Sequence, residues 1–215
     1  MLEIEKKRIR KAMPKILEAL KKKGFDPHFF ETAAEARHFI TERIEPQETV
    51  GIGGSVTLRD ELGIVEALRK KGNYVCDHYD ANDDPARRLA LKRKQGTMDV
   101  FLSSVNALTS EGVLVNLDGG GNRVAGTCCG PKKVIVAAGT NKIVASLDLA
   151  IHRTRQQAAV LNALRLKRKT PCAETGVCID CDSPERICAA LLILLKKPND
   201  IDLFTVVLVN EELGY

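Results

Sequence analysis

Apolar positions open the chain at helical spacing. Leu2, Ile9, Ile16, Leu17 and Leu20 fall near one face of a charged segment and predict a helix over residues 2–23, kinked or split by Pro14 and ended by Gly24. FDPHFF (25–30) then predicts a short strand. ETAAEARHFITERI predicts a helix starting near Thr32, with Glu35 three residues on as its capping-box partner. TVGIG (49–53) reads as a strand entering a glycine loop, and TLRDELGIVEALRKKG (57–72) as a helix stopped by Gly72. The same alternation returns in NYVCDHY, PARRLALKRKQ and MDVFLSSVNAL, a strand, a helix and a strand. GVLVNLD, KKVIVAAG and LFTVVLVN are three more apolar, β-branched runs. Between the last two lie a long helical stretch, about 141–167, a cysteine-rich segment at 172–188, and a helix over SPERICAALLILLKK. Strands alternating with helices predict an α/β fold, with a mostly parallel sheet flanked by helices.

Composition narrows this further. A chain of 215 residues with 44% apolar and 28% charged residues can bury a full core, and no break in pattern demands more than one domain. With no Trp and few aromatics, aliphatic packing must build that core. The charged opening segment lacks the apolar run of a signal peptide, and no stretch reaches the roughly 20 apolar residues that cross a bilayer. A cytoplasmic location is the expectation, and a reducing compartment argues against structural disulfides. The net charge of +5 comes partly from KKK at 21–23 and RLKRK at 165–169, short runs at helix ends without interleaved aromatics. Neither a nucleic-acid nor a membrane partner is predicted.

Ligands of open α/β sheets gather at the carboxyl ends of strands, so polar loops following strands are the places to search. In VGIGGSVTLRDEL, Gly53 and Gly54 lead to Ser55 and Thr57 at a helix start, where exposed N–H groups favour an anion. The loop lacks a P-loop lysine and dinucleotide spacing, so no nucleotide cofactor is predicted. Its bland reading is a capped strand-to-helix turn. In TSEGVLVNLDGGGNRVAG, Glu111 and Asp118 could handle a proton, while Asn122 and Arg123 could grip a carboxylate or phosphate. Asp-Gly and Gly-Asn also signal a hairpin. A third junction, AAGTNKIV, carries Asn141 and Lys142, the latter a candidate anion partner. His152 reads as structural or surface, and His28, His38 and His78 show no metal or triad spacing.

VGIGGSVTL, EGVLVNLDGGGNRVAG and GPKKVIVAAGTNKIV, in this order, resemble the lactate-utilisation (LUD) domain family, whose middle motif reads close to N-x-D-G-x-G-N-R-V. The resemblance spans most of residues 10–210 and implies one domain with the fold of the ribose-phosphate isomerase, glucosamine-phosphate deaminase and CoA-transferase superfamily. It implies that Gly53, Gly54 and Ser55 form an anion- or acyl-binding loop, that Asp118, Asn122 and Arg123 line the same cleft, and that Glu111, Asn141 and Lys142 lie nearby. Some family members serve an iron–sulfur system oxidising lactate to pyruvate. A small carboxylate or phosphate as ligand, iron–sulfur redox subunits as partners and a homo-oligomer are compatible with it. Two alternatives stay open: a non-catalytic electron-transfer or structural subunit, and an isomerase or acyltransferase related by fold.

Four of the seven cysteines, Cys172, Cys178, Cys181 and Cys188, are spaced C-x5-C-x2-C-x6-C. The central pair can reach one metal centre. With Asp182 or Ser183 as cap and Pro184 at the first position, Cys181 is expected just ahead of a helix whose dipole favours its thiolate, with Cys188 just over one turn inside. A four-thiolate centre, unliganded thiols and a disulfide pair are the three readings. Four thiolates suit zinc or an iron–sulfur cluster, and the redox association of the resemblance tilts the choice toward the cluster. Cys76 reads as core packing, and Cys128 and Cys129 as neighbours in an extended run facing opposite ways.

Overall fold

The computed structural model describes residues 2–215. In chain order it contains α1 (Glu3–Lys22), β1 (Asp26–Phe30), α2 (Ala33–Glu42), β2 (Val50–Ile52), α3 (Ile64–Lys71), β3 (Val75–Asp77), α4 (Pro85–Lys94), β4 (Val100–Ser103), β5 (Ala107–Thr109) and β6 (Leu114–Asp118). There follow α5 (Asn122–Cys128), β7 (Lys133–Gly139), β8 (Ile143–Val144), α6 (Leu147–Arg153), α7 (Ala159–Arg165), α8 (Pro171–Thr175), β9 (Ala190–Leu194) and β10 (Leu203–Val209). Six strands form a wholly parallel sheet in the order β1-β10-β7-β4-β2-β3, as the alternating pattern predicts.

Both faces of this sheet are covered, which is why β4, β7 and β10 read as continuous apolar runs. On one face α2 and α3 bring Ala36, Ile40, Ile64 and Leu68 against Val100, Ile135 and Val207. On the other, α1 brings Met13, Ile16 and Leu20 into the cluster that holds Phe101 and Phe204. Each of those phenylalanines is fully buried and contributes about 1.5–3 kcal/mol. A smaller sheet, ordered β8-β5-β6-β9, joins this second cluster through Leu108, Leu114 and Leu194, and α6 closes its far side through Ala150. Among the described residues no helix is long and apolar enough to cross a membrane.

Local signals work where they are stereochemical. The Thr32 hydroxyl accepts from the Glu35 N–H at 3.3 Å while the Glu35 carboxylate accepts from the Thr32 N–H at 3.0 Å, completing the capping box. Pro14 lies inside an unsplit α1, held in place by burial of Met13 and Ile16 on either side of it. The predicted helix at 57–72 is two pieces, because Gly63 (φ 59°) separates a π-turn at Thr57–Glu61 from α3. MDVFLSSVNAL is likewise divided: β4 belongs to the large sheet and β5 to the small one, and the crossing between them passes Ser104, Val105 and Asn106.

Three expectations are corrected. The helix expected from about 141 starts at Leu147, capped by Ser146; Thr140–Lys142 form a short turn and Ile143–Val144 pair with β5 as strand β8. The hairpin at Asp118–Arg123 is a strand-to-helix loop, with Gly121 (φ 79°) preceding α5; Cys128 therefore closes a helix and does not sit in an extended run, while Cys129 is exposed. The helix over SPERICAALLILLKK is the strand β9, paired antiparallel with β6 from Asp118↔Ala190 to Leu114↔Leu194. A short apolar run reads equally as strand or buried helix, and the otherwise unpaired edge of β6 decides for the strand. Its alternation then sends Leu192 and Leu194 to the main core and Ile193 to α6.

Candidate functional site

A cleft of about 500 Å³ opens at the carboxyl edge of the parallel sheet. Loops leaving five of its strands reach it: Gly54, Ser55 and Thr57 after β2, His78 and Tyr79 after β3, Ser104 and Asn106 after β4, Lys142 after β7, and Gly214 and Tyr215 after β10. The β6–α5 loop of the small sheet supplies Asp118, Asn122 and Arg123. Seven Lys and Arg side chains line the cleft against two carboxylates, Asp118 and Glu185, so its field favours an anion.

The sequence-derived residues take distinct places. Gly53 lies beneath the cleft, its N–H donating to the Leu102 carbonyl at 2.9 Å, and Gly54 forms the wall against His78. Ser55 accepts the Leu58 N–H at 3.3 Å, capping the π-turn that carries Thr57. The Asp118 carboxylate is spent on its own loop, accepting the N–H groups of Gly120 at 3.2 Å and Arg123 at 2.7 Å. Arg123 reaches back to the Asn106 side chain at 3.0 Å and to the Leu117 carbonyl, and burial pushes its pKa down. Asn122 lines the cleft. Asn141 does not: its amide pins the tail, accepting from Leu213 N–H at 3.1 Å and donating to the Gly214 carbonyl at 3.1 Å. Glu111 stands apart, exposed in the β5–β6 turn beside Gly112, which packs on α1 near Leu20.

Lys142 is 3% exposed. Its ammonium donates to the hydroxyls of Ser104 at 3.0 Å and Thr57 at 3.2 Å, and no ion pair among the described residues includes it. Burial first, then the charges of Arg153 and Arg123, push its pKa down to about 7, against a smaller opposing pull from Glu61. Lys142, Arg123 and Arg153 thus lie together with no ion-pair partner among the described residues, an arrangement that an incoming anion would relieve.

Several cleft residues escape sequence reasoning. His78 is 8% exposed, with Nδ1 3.3 Å from the Gln95 side-chain oxygen and Nε2 toward Gly54; burial lowers its pKa, with Lys92 adding to the effect. A proton on Nδ1, donated to the Gln95 oxygen, would leave Nε2 as an acceptor on the side of Gly54. Arg88 and Lys92 come from α4, and Arg165 from α7, where its Nε donates to the Tyr215 hydroxyl at 2.6 Å. A spacing search misses His78, but its place directly after strand β3 obeys the same strand-end rule that picks out the glycine loops.

The cysteine segment folds beside this cleft. Cys172 sits in α8, opened by Pro171, with its sulfur 3.3 Å from the Thr170 hydroxyl. No helix follows Cys181, so its thiol does not precede a helix N-terminus as expected; Ser183 donates instead to the Lys169 carbonyl at 3.1 Å. Cys188 lies before β9 and not within a helix. Even so, Cys172, Cys178, Cys181 and Cys188 all line one small cavity, together with Arg155, Ala159, Arg186 and Ile187. Among the described residues no three metal-binding side chains converge in the manner of a single-ion site. Arg186 binds the segment together, donating to the carbonyls of Cys181 at 2.7 Å and Cys188 at 3.2 Å, and the Cys188 thiol beside it, followed by Asp180, raises its pKa. Ala159, Arg186 and Ile187 line both this cavity and the cationic cleft.

The profile of the LUD domain matches residues 13–209. No curated protein matches the chain. A crystal structure of a DUF162 family protein from Deinococcus radiodurans is similar over 93% of this chain and 97% of that one, at 14% identity and a TM-score of 0.50, a likeness of fold alone. With residues 13–209 of its 215 matched, the chain belongs to the LUD domain family.

Proposed function

We propose that this lactate-utilisation-like protein binds a small organic anion in the cationic cleft and takes part in its oxidation through an iron–sulfur cluster held by Cys172, Cys178, Cys181 and Cys188. The observation that carries the reading is the shared wall: Ala159, Arg186 and Ile187 separate the cleft from the cysteine cavity by one layer of side chains. The four cysteines line one cavity with no histidine among its lining, a donor set that suits an iron–sulfur cluster or zinc, and the redox reading of the neighbouring cleft favours the cluster. Arg155 and Arg186, which share the carboxylate of Asp180, leave one net positive charge beside a thiolate-bound, anionic group. When bound, the cluster would pass the two electrons of the oxidation, one at a time, to an oxidised iron–sulfur partner protein as the final acceptor.

The chain's own groups divide the remaining work. Arginines and lysines of the cleft neutralise the carboxylate of the anion. His78, neutral because burial disfavours its charged form, takes the hydroxyl proton of a 2-hydroxy acid at Nε2, while the C2–H bond breaks with its proton lost to cleft water and its electron pair leaving as two single electrons. Asp118 and Ser55 serve the loops, and Glu111 is too remote to take part.

The test is anaerobic purification with iron, zinc and acid-labile sulfide measured per chain, repeated for serine at each of the four cysteines. Iron matched by sulfide and lost in all four variants supports the reading. Stoichiometric zinc reduces the segment to a structural clip, and a chain that takes up neither overturns the redox role.

A further inference from the structure

We propose that Lys142 is a nucleophile whose Nζ condenses with the carbonyl carbon of a small 2-oxo acid held in the cleft, an inference resting on the reading of that cleft as an organic-anion site. A structural lysine this deeply buried is ordinarily matched by a carboxylate, because an unpaired ammonium away from water is costly. Lys142 lines the cleft and has two hydroxyls as partners instead, Ser104 and Thr57. Glu61, the nearby carboxylate, accepts the Gly214 N–H at 2.9 Å. The Gly214 backbone packs so tightly on this corner that a Cβ there would stand 2.6 Å from the Thr57 hydroxyl and 3.0 Å from Nζ. The tail therefore closes one side of the amine, and Lys142 itself is part of the cleft lining.

Desolvation and neighbouring cations are the two means by which proteins keep a lysine neutral and nucleophilic, and both act here. The cleft arginines attract the carboxylate, which brings the adjacent carbonyl to the amine. Nζ then attacks the carbonyl carbon; the C–N bond forms as the C=O π pair moves to oxygen. The two amine protons pass to that oxygen through the Thr57 and Ser104 hydroxyls, it leaves as water, and a C=N bond remains. No electrons are gained or lost. A 2-hydroxy acid lacks the carbonyl, so this step applies to the oxo acid alone.

The experiment incubates the intact protein with pyruvate and sodium cyanoborohydride and maps the lysines by peptide mass spectrometry, with pyruvate binding followed in parallel by calorimetry. The expected result is reductive alkylation concentrated at Lys142, at least about tenfold over other lysines, and abolished in Lys142→Arg, which keeps the charge but cannot form the imine. Should that variant fold poorly, the wild-type concentration dependence decides: labelling of Lys142 should saturate over the pyruvate range in which calorimetry shows binding, where labelling of surface lysines should keep rising in proportion to pyruvate. Binding of pyruvate without modification of Lys142, or modification spread evenly over the surface lysines, overturns the inference and leaves the anion cleft standing. Absence of pyruvate binding removes both the inference and the cleft reading beneath it.

Discussion

A methyl group placed on Gly119 would lie 2.8 Å from the Cα of Ile187, because the loop leaving β6 and the chain just before Cys188 pack backbone to backbone. The Ala189 N–H donates to the Asp118 carbonyl at 3.0 Å beside this contact, so the cleft loop and the cysteine segment are joined by main chain. Gly119→Ala must push the two apart. The expected outcome is a stability loss of about 1–3 kcal/mol in denaturant unfolding, together with less iron retained per chain. Unchanged stability and iron content would show that the two sites are mechanically independent.

Lys142 makes stability depend on pH in a defined direction. Its pKa is lower in the folded protein, about 7, than the ordinary 10.5, so between these values the unfolded chain binds more protons and folding becomes more favourable as pH rises. Lys142→Met should raise stability by a few kcal/mol at neutral pH, on the order of 1.4 kcal/mol per pKa unit, with the gain fading toward about pH 10. Unfolding midpoints measured across that range check it; a wild-type profile parallel to that of the variant would contradict the assignment.

His78 gives a second window. Folding depresses its pKa, so its contribution is complete above the ordinary value of 6.5 and is lost as pH falls through the lower folded value. The imidazole signals of the native protein, followed by NMR, should titrate below 6.5. His78→Gln should flatten the acid limb of the stability profile, and it should slow turnover more than it weakens anion binding. Equal losses in both would make His78 a binding group and not a proton acceptor.

Arg165 stands at the cleft rim, bonded to Tyr215 and to the Asn162 side chain at 2.9 Å. Arg165→Gln should weaken binding of a small carboxylate by about tenfold, or about 1.4 kcal/mol, and reduce its salt dependence. Calorimetric titrations at two ionic strengths provide the comparison. Salt-independent binding in the wild type would remove the electrostatic account of the cleft.

What the sequence discloses follows from the range of each signal. The alternation of strands and helices, the Thr32 cap and the cleft positions of Gly54, Asn122, Arg123 and Lys142 are local or depend only on strand ends, and they are legible along the chain. The strand at Ala190–Leu194 depends on an open edge of β6 more than seventy residues earlier, so no local pattern distinguishes it from a helix. Asp118 and Arg123 look like a free acid and a free anion grip, yet their hydrogen bonds tie them to their own loop and to Asn106. His78 enters the cleft through the adjacency of β2 and β3, a sheet relation that residue spacing does not carry. Glu111, close to the motif in sequence, is carried to the far turn of the small sheet.

The central claim is that the cysteine cavity and the anion cleft are two sides of one redox site. The most direct measurement adds a 2-hydroxy acid such as lactate to the anaerobically purified protein carrying oxidised iron–sulfur cluster, with the absorption and electron paramagnetic resonance spectra recorded before and after. The account predicts bleaching of the visible absorption and the appearance of a reduced-cluster signal, with two clusters reduced per acid oxidised, both lost in Cys188→Ser. A cluster whose spectra are unchanged by the acid, in protein shown by calorimetry to bind it, would contradict the claim.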